Sequence, residues 1–151
     1  CLKPGGLMRI GLYSELARQN IVKARRMISE KNIFFDKEGM LELRRQIIKL
    51  DDPELNTLKT SYDFYSTSAV RDLMFHAKEH RFTIPQISTN LDELGLAFMG
   101  FEFSDTKKII SHFKVPFPKR GAVYDLEKWH EYEVLNSRLF SGMYQFWVQK
   151  L

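Results

Sequence analysis

Three short segments of the chain have the apolar patterns of β-strands, and helical periodicity fills most of the rest. Apolar runs over residues 7–13 and 96–103 are typical of buried strands. The last ten residues, 142–151, alternate apolar and polar positions, which predicts a closing strand. The pattern therefore predicts an α/β protein with few strands for its number of helices.

Helices are predicted where an apolar stripe at helical spacing follows a good capping residue. The predicted N-caps are Ser14, Asp36, Asp52, Ser66 or Thr67, Thr83, Ser104 and Asp125. Thr83 and Gln86 have capping-box spacing, and Gly95 is placed to end that helix in the left-handed conformation. We expect residues 33–82 to form a helical region inserted between strands.

Composition excludes only a few classes of protein. The 151 residues carry a formal net charge of +4, and the basic residues are spread along the chain rather than concentrated, which argues against a nucleic-acid partner. A single cysteine allows no internal disulfide and suits a reducing compartment. No apolar run approaches the roughly 20 residues that span a bilayer, so we expect no membrane partner and a cytoplasmic location.

The chain enters its first predicted strand through a turn. In Leu2-Lys3-Pro4-Gly5-Gly6-Leu7-Met8-Arg9-Ile10, proline fixes φ and the glycines allow positive φ. This segment resembles the motif that leads into the fifth strand of class I S-adenosylmethionine-dependent methyltransferases. The stretches at residues 63–66, 71–76, 79–83 and 142–147 resemble an uncharacterised bacterial subgroup of these enzymes, in which some members carry tetratricopeptide repeats.

The resemblance implies a particular fold and domain organisation. The chain would be the C-terminal portion of one Rossmann-like methyltransferase domain over residues 1–151, with strands five and six and an antiparallel strand seven between them. The missing N-terminal half of the same chain would be its partner. Residues 33–82 would be the inserted helical region that lines the acceptor pocket. Without its upstream neighbour the first strand would keep an open edge, so we expect the isolated fragment to be marginally stable or to aggregate.

The cofactor motif of the family has no counterpart in this sequence. Gly95 and Gly100 do not replace the family's glycine-rich loop, because Gly95 is predicted to end a helix and Gly100 lies within a predicted strand. The acidic residue that binds the ribose is also missing. The fragment is therefore expected to hold no cofactor-binding residue and to be inactive alone, with S-adenosylmethionine bound only by the full-length protein.

The resemblance also assigns candidate site residues. It places acceptor recognition at Tyr13, Ser14, Tyr65, Arg71, His76 and Arg81, and removal of a proton from the acceptor at His80 or Glu79. Each also has a structural interpretation as a cap, an ion-pair partner or a core residue. The methyl acceptor, small molecule or macromolecule, stays open.

Two other classes of function remain. One is a non-enzymatic α/β interaction domain that keeps half of a methyltransferase-like sheet. The other is a zinc hydrolase, because His76-Ala77-Lys78-Glu79-His80 fits the H-x-x-E-H pattern of inverted zinc peptidases. Pro85 follows closely and should end the helix that carries this pattern. No candidate for a third metal ligand lies at a spacing typical of these peptidases. We therefore expect no metal site.

Overall fold

The computed structural model describes residues 2–34, 36–75 and 79–151 and is a mixed α/β protein. Its described strands form one four-stranded sheet in the order β2-β1-β4-β3. The strands are β1 (Leu7–Ser14), β2 (Arg81–Phe82), β3 (Leu96–Phe101) and β4 (Tyr144–Lys150). The α-helices are α1 (Gln19–Glu30), α2 (Lys37–Lys49), α3 (Pro53–Asn56), α4 (Thr67–Phe75), α5 (Ile84–Leu94), α6 (Thr106–Phe113) and α7 (Leu126–Leu135). None of these helices is long and apolar enough to cross a membrane.

Strand β4 lies between β1 and β3 and runs antiparallel to both. Leu12 pairs with Tyr144 at one end of the β1–β4 ladder, and Leu7 pairs with Gln149 at the other. The predicted position and direction of the last strand are confirmed. The predicted strand number is wrong, because the two-residue strand β2 pairs in parallel with Tyr13 and Ser14 at the end of β1. So short a strand leaves no periodicity to read.

The turn before β1 is the expected glycine turn. Gly5 has φ +75°, a conformation that an L side chain disfavours. Its N–H donates to the carbonyl of Lys150 over 2.8 Å, and Lys150 N–H donates back to the carbonyl of Gly6. The turn therefore fixes the start of β1 against the end of β4.

The chain divides into two compact units. One joins the chain up to Ala17 with His80–Leu151, and the other is Arg18–Glu79. In the first unit, Tyr144, Phe146 and Val148 of β4 are fully buried on one face of the sheet. Aromatic rings from the helices complete this core, and the rings of Phe113 and Trp129 stack with centroids 3.9 Å apart.

Trp147 points to the opposite face of β4 and keeps 41% of its surface exposed. Its indole N–H donates to Glu102, whose carboxylate also accepts two hydrogen bonds from Arg9. Polar side chains therefore bridge the strands on this face, whereas apolar side chains pack on the buried face.

The second unit is a helical bundle with its own core. Ile21 and Ala24 of α1 pack with Leu43 and Ile47 of α2 and with Phe64. The helical unit thus begins at Arg18, because α1 buries its apolar stripe here. Asp36 and Asp52 cap α2 and α3 as predicted.

Two predicted helix starts are wrong. Ser14 ends β1 and its hydroxyl accepts from Ala17 N–H in the turn that follows, whereas α1 begins only after Arg18. Asp105 rather than Ser104 caps α6, with its carboxylate accepting from Lys108 N–H. Ser66 accepts from Ala69 N–H at the start of α4, as expected, whereas the predicted end of that helix falls partly outside the described residues.

Both ends of α5 follow the prediction. Thr83 and Gln86 form the reciprocal capping box, and Gly95 takes the left-handed conformation at φ +60°. The carbonyl of Gly95 then accepts from Leu151 N–H, so this turn holds β3 beside the end of β4.

Replacing Gly95 by alanine should therefore lower the free energy of unfolding by about 1 kcal/mol, because a Cβ is strained at positive φ. Urea denaturation measures the change. Gly142→Ala is the matched control: its backbone is not left-handed and an added Cβ meets no atom within 4 Å. Equal losses in the two variants would contradict the role of Gly95.

Candidate functional site

The carboxyl end of β1 carries a buried cluster of hydroxyl and carboxyl groups. Ser14 is the last residue of β1, Tyr144 the first of β4, and Glu133 lies in the third turn of α7. All three side chains belong to residues with no exposed surface. Glu133 reaches the cluster because it lies four residues after Trp129, on the helix face that is packed into the core.

Both hydroxyl groups donate to the same carboxyl group. Ser14 Oγ lies 2.6 Å from Glu133 Oε1, and Tyr144 Oη lies 2.7 Å from Oε1 and 2.9 Å from Oε2. Ser14 Oγ also accepts from Ala17 N–H over 3.0 Å. The cluster therefore ties the end of β1, the turn after it, the start of β4 and α7 at one point.

Burial is the main electrostatic influence on this cluster. It raises the pKa of Glu133, and the hydrogen bonds from Ser14 and Tyr144 together with the charge of His130 offset the shift only in part. Burial also raises the pKa of Tyr144, and the neighbouring carboxyl group of Glu133 adds to that shift. A group without contact with solvent does not touch a substrate, so we assign this cluster a positioning role.

An ion pair lies beside the cluster at the same end of the sheet. Arg81 Nε donates to Glu15 Oε2 over 2.9 Å, and Glu15 N–H donates to the carbonyl of Phe82. Tyr13 pairs with Arg81 in the sheet and is half-buried. His80 directly precedes β2 and is exposed. Four of the predicted site residues, Tyr13, Ser14, His80 and Arg81, therefore gather at the carboxyl end of β1, the edge at which α/β sheets commonly bind ligands.

Glu79, in the helical unit, has a different environment. Its carboxylate accepts hydrogen bonds from Arg18 Nε and Nη2 at 3.0 and 2.6 Å, and Arg25 Nη2 lies 3.3 Å away. The Arg18 and Glu79 side chains are 8% and 6% exposed. Both carboxylate oxygens are thus occupied by guanidinium groups, which leaves Glu79 less suited than His80 to accept a proton from an acceptor.

The remaining predicted site residues lie between α1 and β2 in the sequence. Tyr65 follows a short 3-10 helix, is 59% exposed and meets the ring of Phe64 edge-on. Arg71 lies on the exposed side of α4. His76 lies outside the described residues. Among the described ranges, no group of three or more metal-ligating side chains is assembled.

Sequence reasoning missed Glu133, Tyr144 and Arg18 as site residues. One signal was present for Glu133: it stands at the same helical face as Leu126 and Trp129, where a charged residue is out of place in an apolar stripe. For Arg18 no signal existed, because its partner Glu79 is 61 residues away in the chain.

Comparison with protein-family models finds no matching family, and comparison with curated proteins finds no similar sequence.

Glu133 should make the stability of the fold depend on pH. Because its pKa is raised above the ordinary 4.5, the folded protein keeps a proton that the unfolded chain releases. The stability that this group contributes is present below pH 4.5 and is lost as pH rises through the raised pKa. Glu133→Gln, which mimics the protonated acid, should remove this decline in chemical denaturation measured from pH 4 to 9.

Glu131→Gln is the matched control, since Glu131 lies on the same helix, is exposed and pairs only with Lys128 among the described residues. The control should keep the pH profile of the parent chain. A Glu133→Gln profile that still falls with pH would show that another group causes the decline.

Removing the carboxylate of Glu79 should destabilise the helical unit strongly. Glu79→Gln replaces the negative charge that pairs with Arg18 and Arg25 by a neutral amide, and breaking a buried ion pair costs about 3–5 kcal/mol. Glu42→Gln is the control, because Glu42 faces Arg45 at 3.8 Å on the exposed surface of α2 and should contribute less than about 1 kcal/mol. Urea unfolding compares the two, and similar losses would contradict a structural role for Glu79.

Proposed function

We propose that the chain is the acceptor-side half of a class I S-adenosylmethionine-dependent methyltransferase domain. The observation that carries the proposal is the sheet order: an antiparallel last strand, β4, inserted between β1 and β3. This is the arrangement that the resemblance of residues 2–10 implies for strands five, seven and six of that family. The Pro4-Gly5 turn ahead of β1 adds support, because it occupies the place of the family's motif.

The described residues of this chain do not fit the cofactor itself. Gly95 ends α5 and Gly100 lies inside β3, so neither belongs to a glycine-rich loop between a strand and a helix. The residues that follow β1 are Glu15, Leu16, Ala17 and Arg18 rather than glycines. The proposal therefore assigns cofactor binding to chain upstream of Cys1 and gives this chain only the acceptor.

Within the proposal, the edge at the carboxyl end of β1 receives the methyl acceptor. Tyr13 and Arg81 lie side by side there and supply an aromatic ring and a cation for recognition. His80 is the exposed residue that takes the proton from the acceptor. The buried cluster of Ser14, Glu133 and Tyr144 holds this end of the sheet in place, which matters because methyl transfer depends mainly on positioning.

The zinc hydrolase is less well supported. That interpretation needs Glu79 as a general base beside the metal, whereas its carboxylate is paired with Arg18 and Arg25. Both oxygens of this carboxylate already accept from guanidinium groups, so neither is left to accept a proton from a metal-bound water.

Isothermal titration calorimetry with S-adenosylmethionine tests the proposal on two polypeptides. The 151-residue chain alone should give no binding heat, whereas the product of the same gene with its upstream coding region should bind at micromolar concentration. Micromolar binding by the chain alone would contradict the assignment of the cofactor site. Lack of binding by the longer product would contradict the methyltransferase itself.

A further inference from the structure

A concave surface lies in the sheet unit, between α6 and α7. It has a volume of about 460 Å³ and is lined by residues from the end of each helix and from the turn after α7. Cavities that hold small organic molecules measure roughly 300–1,000 Å³. The cavity is therefore large enough for a small molecule, although it is open to solvent.

Its floor is apolar and held rigidly. Ile109 and Leu139 are half-buried and pack against the core of the unit. The ring of Tyr132 meets Phe113 and Trp129 edge-on, with centroids 5.3 and 6.1 Å apart. An aromatic wall that is fixed on its inner side presents its outer surface to a ligand at little cost in entropy.

Two of the polar side chains that line the cavity, His112 and Arg138, can donate hydrogen bonds. His112 ends α6 and Arg138 follows α7, and both line the cavity and are exposed. Within the described ranges, neither side chain takes part in a hydrogen bond or ion pair. None of the lining residues is acidic. An unpaired guanidinium over an apolar floor, with no carboxylate beside it, favours a ligand that carries negative charge.

Asn136 adds a positioned polar group. Its Nδ2 donates to the carbonyl of Tyr132 over 2.9 Å, which fixes the side chain at the end of α7. Its Oδ1 is left as an acceptor at the cavity. The lining therefore combines an aromatic wall, an apolar floor, a cation and one fixed amide.

We propose that this cavity binds a small organic anion in which a phosphate or carboxylate group is joined to an apolar or aromatic body. The anion pairs with the Arg138 guanidinium, His112 donates a hydrogen bond to it, and the body lies on Ile109 and Tyr132. The site does not depend on the proposed methyl transfer, since it uses none of the residues at the carboxyl end of β1.

Two-dimensional ¹H–¹⁵N NMR tests the proposal with phenyl phosphate and benzoate as probes. At least one probe should give saturable shifts at the amides of residues 109–112 and 132–139. Inorganic phosphate has the anionic group without the ring, and phenol has the ring without the anionic group. Each should bind at least about tenfold more weakly than that probe. The two probes show which anionic group the cavity prefers.

Arg138→Gln should weaken binding of the preferred probe about tenfold, because it removes a charge-assisted hydrogen bond. Arg120→Gln is the matched control, since Arg120 is exposed and does not line the cavity. It should leave the affinity unchanged. The proposal is overturned if neither probe shifts these amides, if phenol binds as well as the anions, or if the two arginine variants lose the same affinity.

Discussion

The fold of the sheet unit depends on the position of β4. As the central antiparallel strand it pairs with β1 on one side and β3 on the other, and its inward residues Tyr144, Phe146 and Val148 form the middle of the core. Two glycine turns converge on its end, because Gly5 N–H donates to Lys150 and the carbonyl of Gly95 accepts from Leu151. Segments distant in the chain thereby reach one register, and the carboxyl end of β1 is set opposite the first residue of β4.

That register brings the site together. Ser14 and Tyr144 face the same side of neighbouring strands, and Glu133 enters from the helix packed on that side. A carboxyl group between two hydroxyl groups is expensive to bury as an anion, so the cluster favours the protonated acid. The result is a polar connection inside an aromatic core, which fixes the strand end that carries Tyr13 and, through β2, the start of α5.

Signals within a few residues of one another predicted much of this architecture. The structure differs from the prediction where residues distant in the chain pair. The capping box at Thr83, the left-handed Gly95 and the caps Asp36 and Asp52 are contained within a few residues, and each is present as expected. Strand β2 exists only because Tyr13 lies beside Arg81, so two residues of sequence could not reveal it. For the same reason the position of His80 and Arg81 at this edge could not be predicted from the sequence, whereas the charge of Glu133 in an apolar helix face was a visible signal.

The Arg18–Glu79 ion pair has a consequence for how the protein tolerates change. It joins the first and last residues of the helical unit, so the chain leaves that unit where it came in. Loop-closure entropy grows only slowly with chain length, about 0.6 kcal/mol for each doubling, so a longer or shorter bundle changes the cost of pairing Tyr13 with Arg81 little. Insertions or deletions between these two residues would therefore leave the two ends of the bundle close together.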